Sequence, residues 1–89
     1  MSNRYFKVQF FRGPHIQCYC INTDTCYVPP IIINYFDQID GTKVKEQMLD
    51  KIMWWLNVHA STGTIKCMWG NMPRLNDGYV TKLWSVDLA

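Results

Sequence analysis

The feature that most constrains this fold is a regular alternation of apolar and polar residues near the start of the chain. Residues 5–12 alternate, and residues 15–21 alternate again after a break at Gly13-Pro14. A period of two residues is typical of a half-buried strand, and the break predicts a turn. We therefore predict a β-hairpin. On the first strand the core-facing residues are expected to be Phe6, Val8 and Phe10. On the second they are expected to be Ile16, Cys18 and Cys20.

The middle of the chain is punctuated by prolines. Residues 25–28 predict a short third strand, which Pro29-Pro30 ends. Residues 31–36 fit either a short helix or a buried extended segment, and we favour a helical turn because proline suits the first helical position. A longer helix follows, and Asp40 or Thr42 is the expected N-cap.

The second half of the chain predicts one helix and two strands. The helix runs to about His59 and is stopped by residues 60–63. Residues 63–69 then alternate as a strand, and residues 79–88 form the last strand. Asn76-Asp77-Gly78 between them is typical of a hairpin turn.

These elements predict an α+β fold, in the order β-β-β-(short α)-α-β-β. We expect an antiparallel sheet of four to five strands packed on one main helix. A chain of 89 residues is long enough for one small domain, residues 1–89. The order of the two hairpins in the sheet is left open. Lys82 falls on the inward face of the last strand, which requires either an edge position or a bulge.

The charge balance is too even for a dedicated DNA-binding domain. Nine Lys or Arg residues oppose seven Asp or Glu residues, for a net charge of +2, whereas phosphate binding usually needs a larger basic excess. No apolar run approaches the length that spans a bilayer, and the first residues lack the apolar core of a signal peptide. We therefore expect a cytoplasmic protein without a membrane partner, and its cysteines reduced.

The cysteines and histidines do not form a recognisable catalytic or metal motif. Cys18 and Cys20 are separated by nearly 7 Å along a strand, a spacing that suits zinc poorly because structural sites use tight Cys-x(2–4)-Cys turns. A zinc set of Cys18 or Cys20 with Cys26, Cys67 and a histidine is the alternative to buried, inert thiols. No nucleophile elbow or phosphate loop is present. We expect no enzyme activity, metal or cofactor.

The long helix carries a tryptophan on its polar side. At 100° per residue one stripe faces the sheet, and Trp54 falls among the polar residues opposite it, bordered by Met53. Exposed tryptophan is a frequent anchor in protein interfaces, so both residues are candidate partner contacts. The alternative is that Trp54 packs under residues 31–36 or a terminus.

The second face of the predicted sheet combines aromatic and basic residues. Tyr5, Lys7, Tyr19 and Lys66 are expected to face away from the helix. Such a surface fits a stacking platform for single-stranded nucleic acid. A protein partner or a homodimer are the other candidate occupants, and cross-strand pairing for stability is the structural alternative.

The segment before the last strand has the composition of a contact loop. Residues 70–75 include Met72 and Arg74, which we count as candidate partner contacts. The alternative is an ordinary long connection between two strands.

In general character the chain resembles the small accessory proteins with which bacteriophages bind and block host machinery. The resemblance rests on a compact, aromatic-rich domain without a catalytic signature, and it transfers no residues. It implies an inhibitor that acts by occlusion. Our first hypothesis is therefore a non-enzymatic protein-binding module, and the alternative is a single-stranded nucleic-acid-binding domain.

Overall fold

A computed structural model describes residues 4–69 and 80–89. Within them the chain forms four strands and two helices, which confirms the α+β class. The elements in chain order are β1 (Arg4–Arg12), β2 (His15–Asn22), α1 (Pro30–Phe36), α2 (Glu46–Ser61), β3 (Lys66–Trp69) and β4 (Val80–Leu88). Neither helix in these residues combines the length and the apolar content needed to cross a bilayer.

The sheet is mixed, so the prediction of an antiparallel sheet was wrong. Its strand order is β3-β2-β1-β4. β1 pairs antiparallel with β2, and β2 pairs antiparallel with β3, but β4 pairs parallel with β1. β3 and β4 therefore lie at opposite edges and cannot form the expected hairpin. β4 pairs at the free edge of the β1–β2 hairpin, where its apolar residues join the core. The Asn76-Asp77-Gly78 segment lies outside the described residues.

The third strand predicted for residues 25–28 is not formed. The backbone N–H groups of Thr25 and Cys26 both donate to the carbonyl oxygen of Asn22, so this segment turns away from the sheet. Cys26 and Val28 are nevertheless buried in the core. The helical turn predicted after the prolines is confirmed as α1, which begins at Pro30.

The long helix starts later than expected. It begins at Glu46, and its N-cap residue Lys45 makes no side-chain capping bond. The predicted cap Asp40 instead accepts hydrogen bonds from the backbone N–H and the hydroxyl of Thr42, at 2.9 and 2.8 Å. These bonds lower the pKa of the exposed Asp40 carboxyl. The stop at residues 60–63 is confirmed, since α2 ends at Ser61.

The core lies between the helices and one face of the sheet. Trp84 of β4 is fully buried at its centre, with ring centroids 5.6 Å from Phe36 and 6.0 Å from Phe10. The remaining large buried side chains on this inner face and on the helices include Phe6, Val8, Tyr19, Ile21, Ile52, Trp55, Leu56 and Val86. The apolar positions of the helices and of the inner sheet face therefore pack together in one hydrophobic cluster.

The orientation expected for β2 was inverted. Phe6 pairs with Ile21 and Val8 pairs with Tyr19, and directly paired residues point to the same face of a sheet. Tyr19 therefore faces the helices and is 1% exposed, whereas Cys18 and Cys20 are on the outer face. The register follows from the short turn, which sets Arg12 opposite His15.

β4 needs no bulge. Its pairing with β1 is continuous from Val80, opposite Arg4, to Leu88, opposite Arg12. Lys82 lies opposite Phe6 on the inner face, and it remains part-exposed because β4 is an edge strand of the sheet.

Candidate protein-binding groove

Consecutive tryptophans of α2 differ sharply in exposure. Trp55 is 9% exposed and packs with Ile52 and Leu56 in the core, while Trp54 is 67% exposed. A rotation of 100° per residue separates the two side chains. Trp54 is therefore presented to solvent, in agreement with the exposed position expected from the sequence.

Trp54 lines an open groove of about 590 Å³ between α1 and α2. Pro29 and Ile31 form much of the opposite wall, because the helix that begins at Pro30 turns Ile31 outward, leaving it 57% exposed. The described residues that line it are Pro29, Ile31, Ile32, Asp50, Lys51, Trp54 and Trp55. We call this surface the Trp54 groove. Within residues 4–69 and 80–89, Asp50 and Lys51 are the only charged residues that line it.

Further apolar residues extend the surface around the groove. Val58, one helical turn after Trp54, is 38% exposed, and Tyr27, two residues before Pro29, is 77% exposed. Exposed apolar side chains grouped near one groove are typical of an interaction site.

One predicted contact is less exposed than Trp54, and part of the groove was not predicted. Met53 is partly buried, packs against the core and is not among the described residues that line the groove, and its role as a partner contact stays a prediction. Ile31 and Pro29 were not among the predicted contacts. A signal for Ile31 was present: three consecutive isoleucines on a helix of one or two turns cannot all face the core.

The outer face of the sheet holds three of the four residues expected there. Tyr5, Lys7 and Lys66 share this face, while Tyr19 belongs to the core. Cys20 of β2 pairs with Lys7 on the neighbouring strand β1 and with Lys66 on the other neighbouring strand, β3. Burial, together with a hydrogen bond to Cys20, raises the pKa of Tyr5 to about 12. A stacking platform on this face therefore lacks one of its predicted aromatic members.

Tyr19 has a structural role that connects the sheet to α2. Its hydroxyl donates to the side-chain oxygen of Asn57 and accepts a hydrogen bond of 2.8 Å from Gln17 Nε2. Gln17 Nε2 also lies 3.3 Å from the Sγ atom of Cys67 on β3. Burial raises the pKa of Tyr19 above its ordinary value. Sequence periodicity missed this network because it depends on the face that β2 adopts.

The cysteines are divided between the two sides of the sheet. Cys18 and Cys20 are on the outer face, whereas Cys26 lies in the core, its Sγ atom 3.9 Å from His59 Nδ1. Burial raises the pKa of the Cys26 thiol, which opposes formation of the thiolate that a nucleophile requires. Among residues 4–69 and 80–89, no three His, Cys, Asp or Glu side chains are grouped as metal ligands. The alternative zinc set is therefore not assembled.

The remaining predicted contacts, Met72 and Arg74, lie outside the described residues, so their role as a contact loop stays a prediction. Comparison of the chain with protein-family models, with curated proteins and with solved structures finds no match.

Proposed function

We propose that this protein is a non-enzymatic binding module that holds a protein partner in the Trp54 groove. The observation that carries the proposal is Trp54 itself, which is 67% exposed beside a groove whose described lining includes only two charged residues. A large aromatic side chain left in water gains free energy when a partner covers it. Tryptophan is also among the residues whose loss most weakens protein interfaces.

The proposed mode of action is occlusion of the partner's own binding surface. Ile31 and Val58 would bury further apolar area around Trp54, and contact of this kind needs no chemical step. A cytoplasmic, phage-type inhibitor that blocks a host protein, as expected from the sequence, is the form of this proposal that we favour.

Capture of a partner by matched variants tests the proposal. The tagged wild-type chain, Trp54→Ala and Leu83→Ala are used as parallel baits in a bacterial lysate, with recovery measured by quantitative mass spectrometry. Leu83 is a suitable control because it is 49% exposed but lies on the outer sheet face. We expect one protein to be recovered by wild type and Leu83→Ala, and its recovery to fall at least about tenfold with Trp54→Ala.

Two outcomes would contradict the Trp54 site. Equal recovery by wild type and Trp54→Ala would remove Trp54 as the anchor. Loss with Leu83→Ala alone would move the interface to the outer sheet face.

Nucleic-acid binding is the weaker alternative. Lys7 and Lys66 on either side of Cys20, with Tyr5 nearby, favour it, but burial of Tyr19 removes a stacking residue. The same capture repeated with nuclease distinguishes the two functions. Recovery that disappears with nuclease, and oligonucleotide binding that weakens steeply with salt, would support the alternative.

A further inference from the structure

The Trp54 groove continues around α1 into two further depressions. Ile31 lines both the groove and a depression of about 290 Å³. Tyr35 and Gln38 line that depression and also a third, of about 430 Å³. Lys51 lines the third depression and the Trp54 groove. Shared lining residues therefore make the three depressions neighbours along α1 and α2, and we call the three together the concave surface.

The two ends of this concave surface differ in charge. The third depression, which we call the lysine end, is lined by Lys43, Lys45 and Lys51, and none of the described residues that line it is acidic. All three lysines are exposed, and no ion pair of theirs is present in the described part of the chain. Three acidic groups nearby, equal in number to these lysines but outside the lining of this depression, offset part of this charge. They are Asp50 in the Trp54 groove, Glu46 in the first turn of α2, and Asp40, whose pKa Lys43 helps to lower.

We infer that the partner of the Trp54 groove is an acidic peptide segment with one large apolar residue. This inference rests on the proposed function. The apolar residue occupies the groove beside Trp54 and Ile31, and carboxylates face the lysine end. Glu46 is the first residue of α2 and follows Lys45, so it marks the position of the lysine end along the helix. At 1.5 Å per residue, Glu46 and Trp54 are about 12 Å apart along α2. The anchor and the carboxylates are then separated by about eight residues of a helical ligand or about four of an extended one.

The charges act mainly on the rate of association. Exposed lysines are screened by salt and contribute modestly to a formed contact, but they attract an oppositely charged segment before it docks. Apolar contact at Trp54 then determines how long the complex persists. Binding should therefore depend on Trp54 at any ionic strength, and on Lys45 chiefly at low salt.

Selection from a random library of displayed peptides, each of about 12 residues, tests the inference. The full chain is the target, and peptides that also bind Trp54→Ala are removed. We expect the enriched peptides to carry an excess of Asp and Glu together with a large apolar residue. The affinity of the most enriched peptide, made synthetically, should fall at least about fivefold when its carboxylates are replaced by amides at low salt.

Two charge-reversal variants test whether the carboxylates of the peptide bind at the lysine end. Lys45→Glu should weaken the synthetic peptide at least about fivefold at low salt, while Arg12→Glu, an equal change of charge at the exposed end of β1, should weaken it by less than about twofold. Both variants are first checked for wild-type circular dichroism.

Failure of this inference and failure of the proposed function give different results. Trp54-dependent peptides that are neutral or basic, or equal effects of Lys45→Glu and Arg12→Glu, would overturn the acidic partner and leave the Trp54 site standing. A selection that yields no peptide dependent on Trp54 would overturn both.

Discussion

Gly41 lies directly against the indole ring of Trp84, so that a Cβ atom at position 41 would be 2.7 Å from Trp84 Nε1. The backbone N–H of Gly41 also donates a hydrogen bond of 3.1 Å to the carbonyl oxygen of Ser85. The segment between α1 and α2 is thereby held on the edge strand β4, over the most central side chain of the core. Because the parallel β1–β4 pair has no hairpin turn of its own, this contact contributes to holding β4 in register.

Gly41→Ala should destabilise the protein by about 1–3 kcal/mol, since the added methyl group overlaps a ring that is fully buried. Urea unfolding followed by circular dichroism measures the change. In the double variant Gly41→Ala/Trp84→Leu, the smaller side chain leaves space for the methyl group. The two losses should therefore be less than additive by about 1 kcal/mol or more. Strict additivity would mean that the ring is not what excludes a side chain at position 41.

Neighbouring tryptophans of α2 should differ sharply in their effect on stability. Trp55→Ala should cost about 3–5 kcal/mol, because this side chain is buried and stacks on His59 at a centroid distance of 4.3 Å. Trp54→Ala should change the free energy of unfolding by less than about 1 kcal/mol. Urea midpoints of the two variants measure the difference. Similar losses would show that Trp54 supports the fold and would weaken its assignment as a partner contact.

Alkylation of the native protein should distinguish one thiol from the other three. Cys67 is exposed, whereas Cys18, Cys20 and Cys26 are buried. Burial also raises the pKa of Cys18 and Cys26, which lowers their thiolate fraction near neutral pH. We expect iodoacetamide to label Cys67 first, as read by peptide mass spectrometry, and Cys67→Ser to remove the fast phase. Labelling of Cys18 at the rate of Cys67 would contradict the packing of the outer sheet face.

Tyr19→Phe should reveal the alkaline sensitivity of the core. Near neutral pH the free energy of unfolding of the variant should be lower by about 0.5–1.5 kcal/mol, because the variant lacks the hydroxyl that bonds Gln17 and Asn57. The pKa of Tyr19 is raised in the folded state. Above about pH 10 the unfolded chain therefore releases this proton while the folded chain retains it, and wild-type stability falls as pH rises.

The phenylalanine variant lacks that titration, so the difference in stability between it and wild type should narrow from about pH 8 to about pH 11. Urea midpoints across this range test the prediction, with the other titrating groups common to both chains. A difference that stays constant with pH would mean that Tyr19 ionises equally easily in the folded and unfolded chains.

Local patterns in the sequence were sufficient for most of the elements. Alternation with a period of two predicted β1 and β2, the prolines predicted the start of α1, and helical periodicity separated exposed Trp54 from buried Trp55. These features depend on residues within one or two turns of each other, so their physical causes are contained in short stretches of sequence.

The candidate site was only partly predictable for the same reason. Trp54 was identified because its own helix determines its direction. The opposite wall at Ile31 depends on how α1 packs against α2, and the lysine end depends on where α2 begins. Asp40 or Thr42 was expected to cap that helix, but the two residues bond each other instead, and the helix starts at Glu46.

The sequence by itself determined most of the strands and helices and the position of Trp54 on the polar side of α2, because hydrophobic period, prolines and turn residues act locally. The face of β2 that is buried follows from its pairing with β1 across the short turn, which alternation by itself does not give, and tertiary structure alone decided where β4 pairs. The short turn places Tyr19 opposite Val8. Cys18 and Cys20, which the sequence suggested for the core, therefore lie on the outer face of the sheet, and the Tyr19 hydroxyl reaches Asn57. β4 joins the free edge of β1 in parallel because Trp84 and Val86 can there be buried against Phe10 and Phe36. The free energy gained by this burial comes from contacts between residues that are distant in the sequence, so no local pattern predicts it.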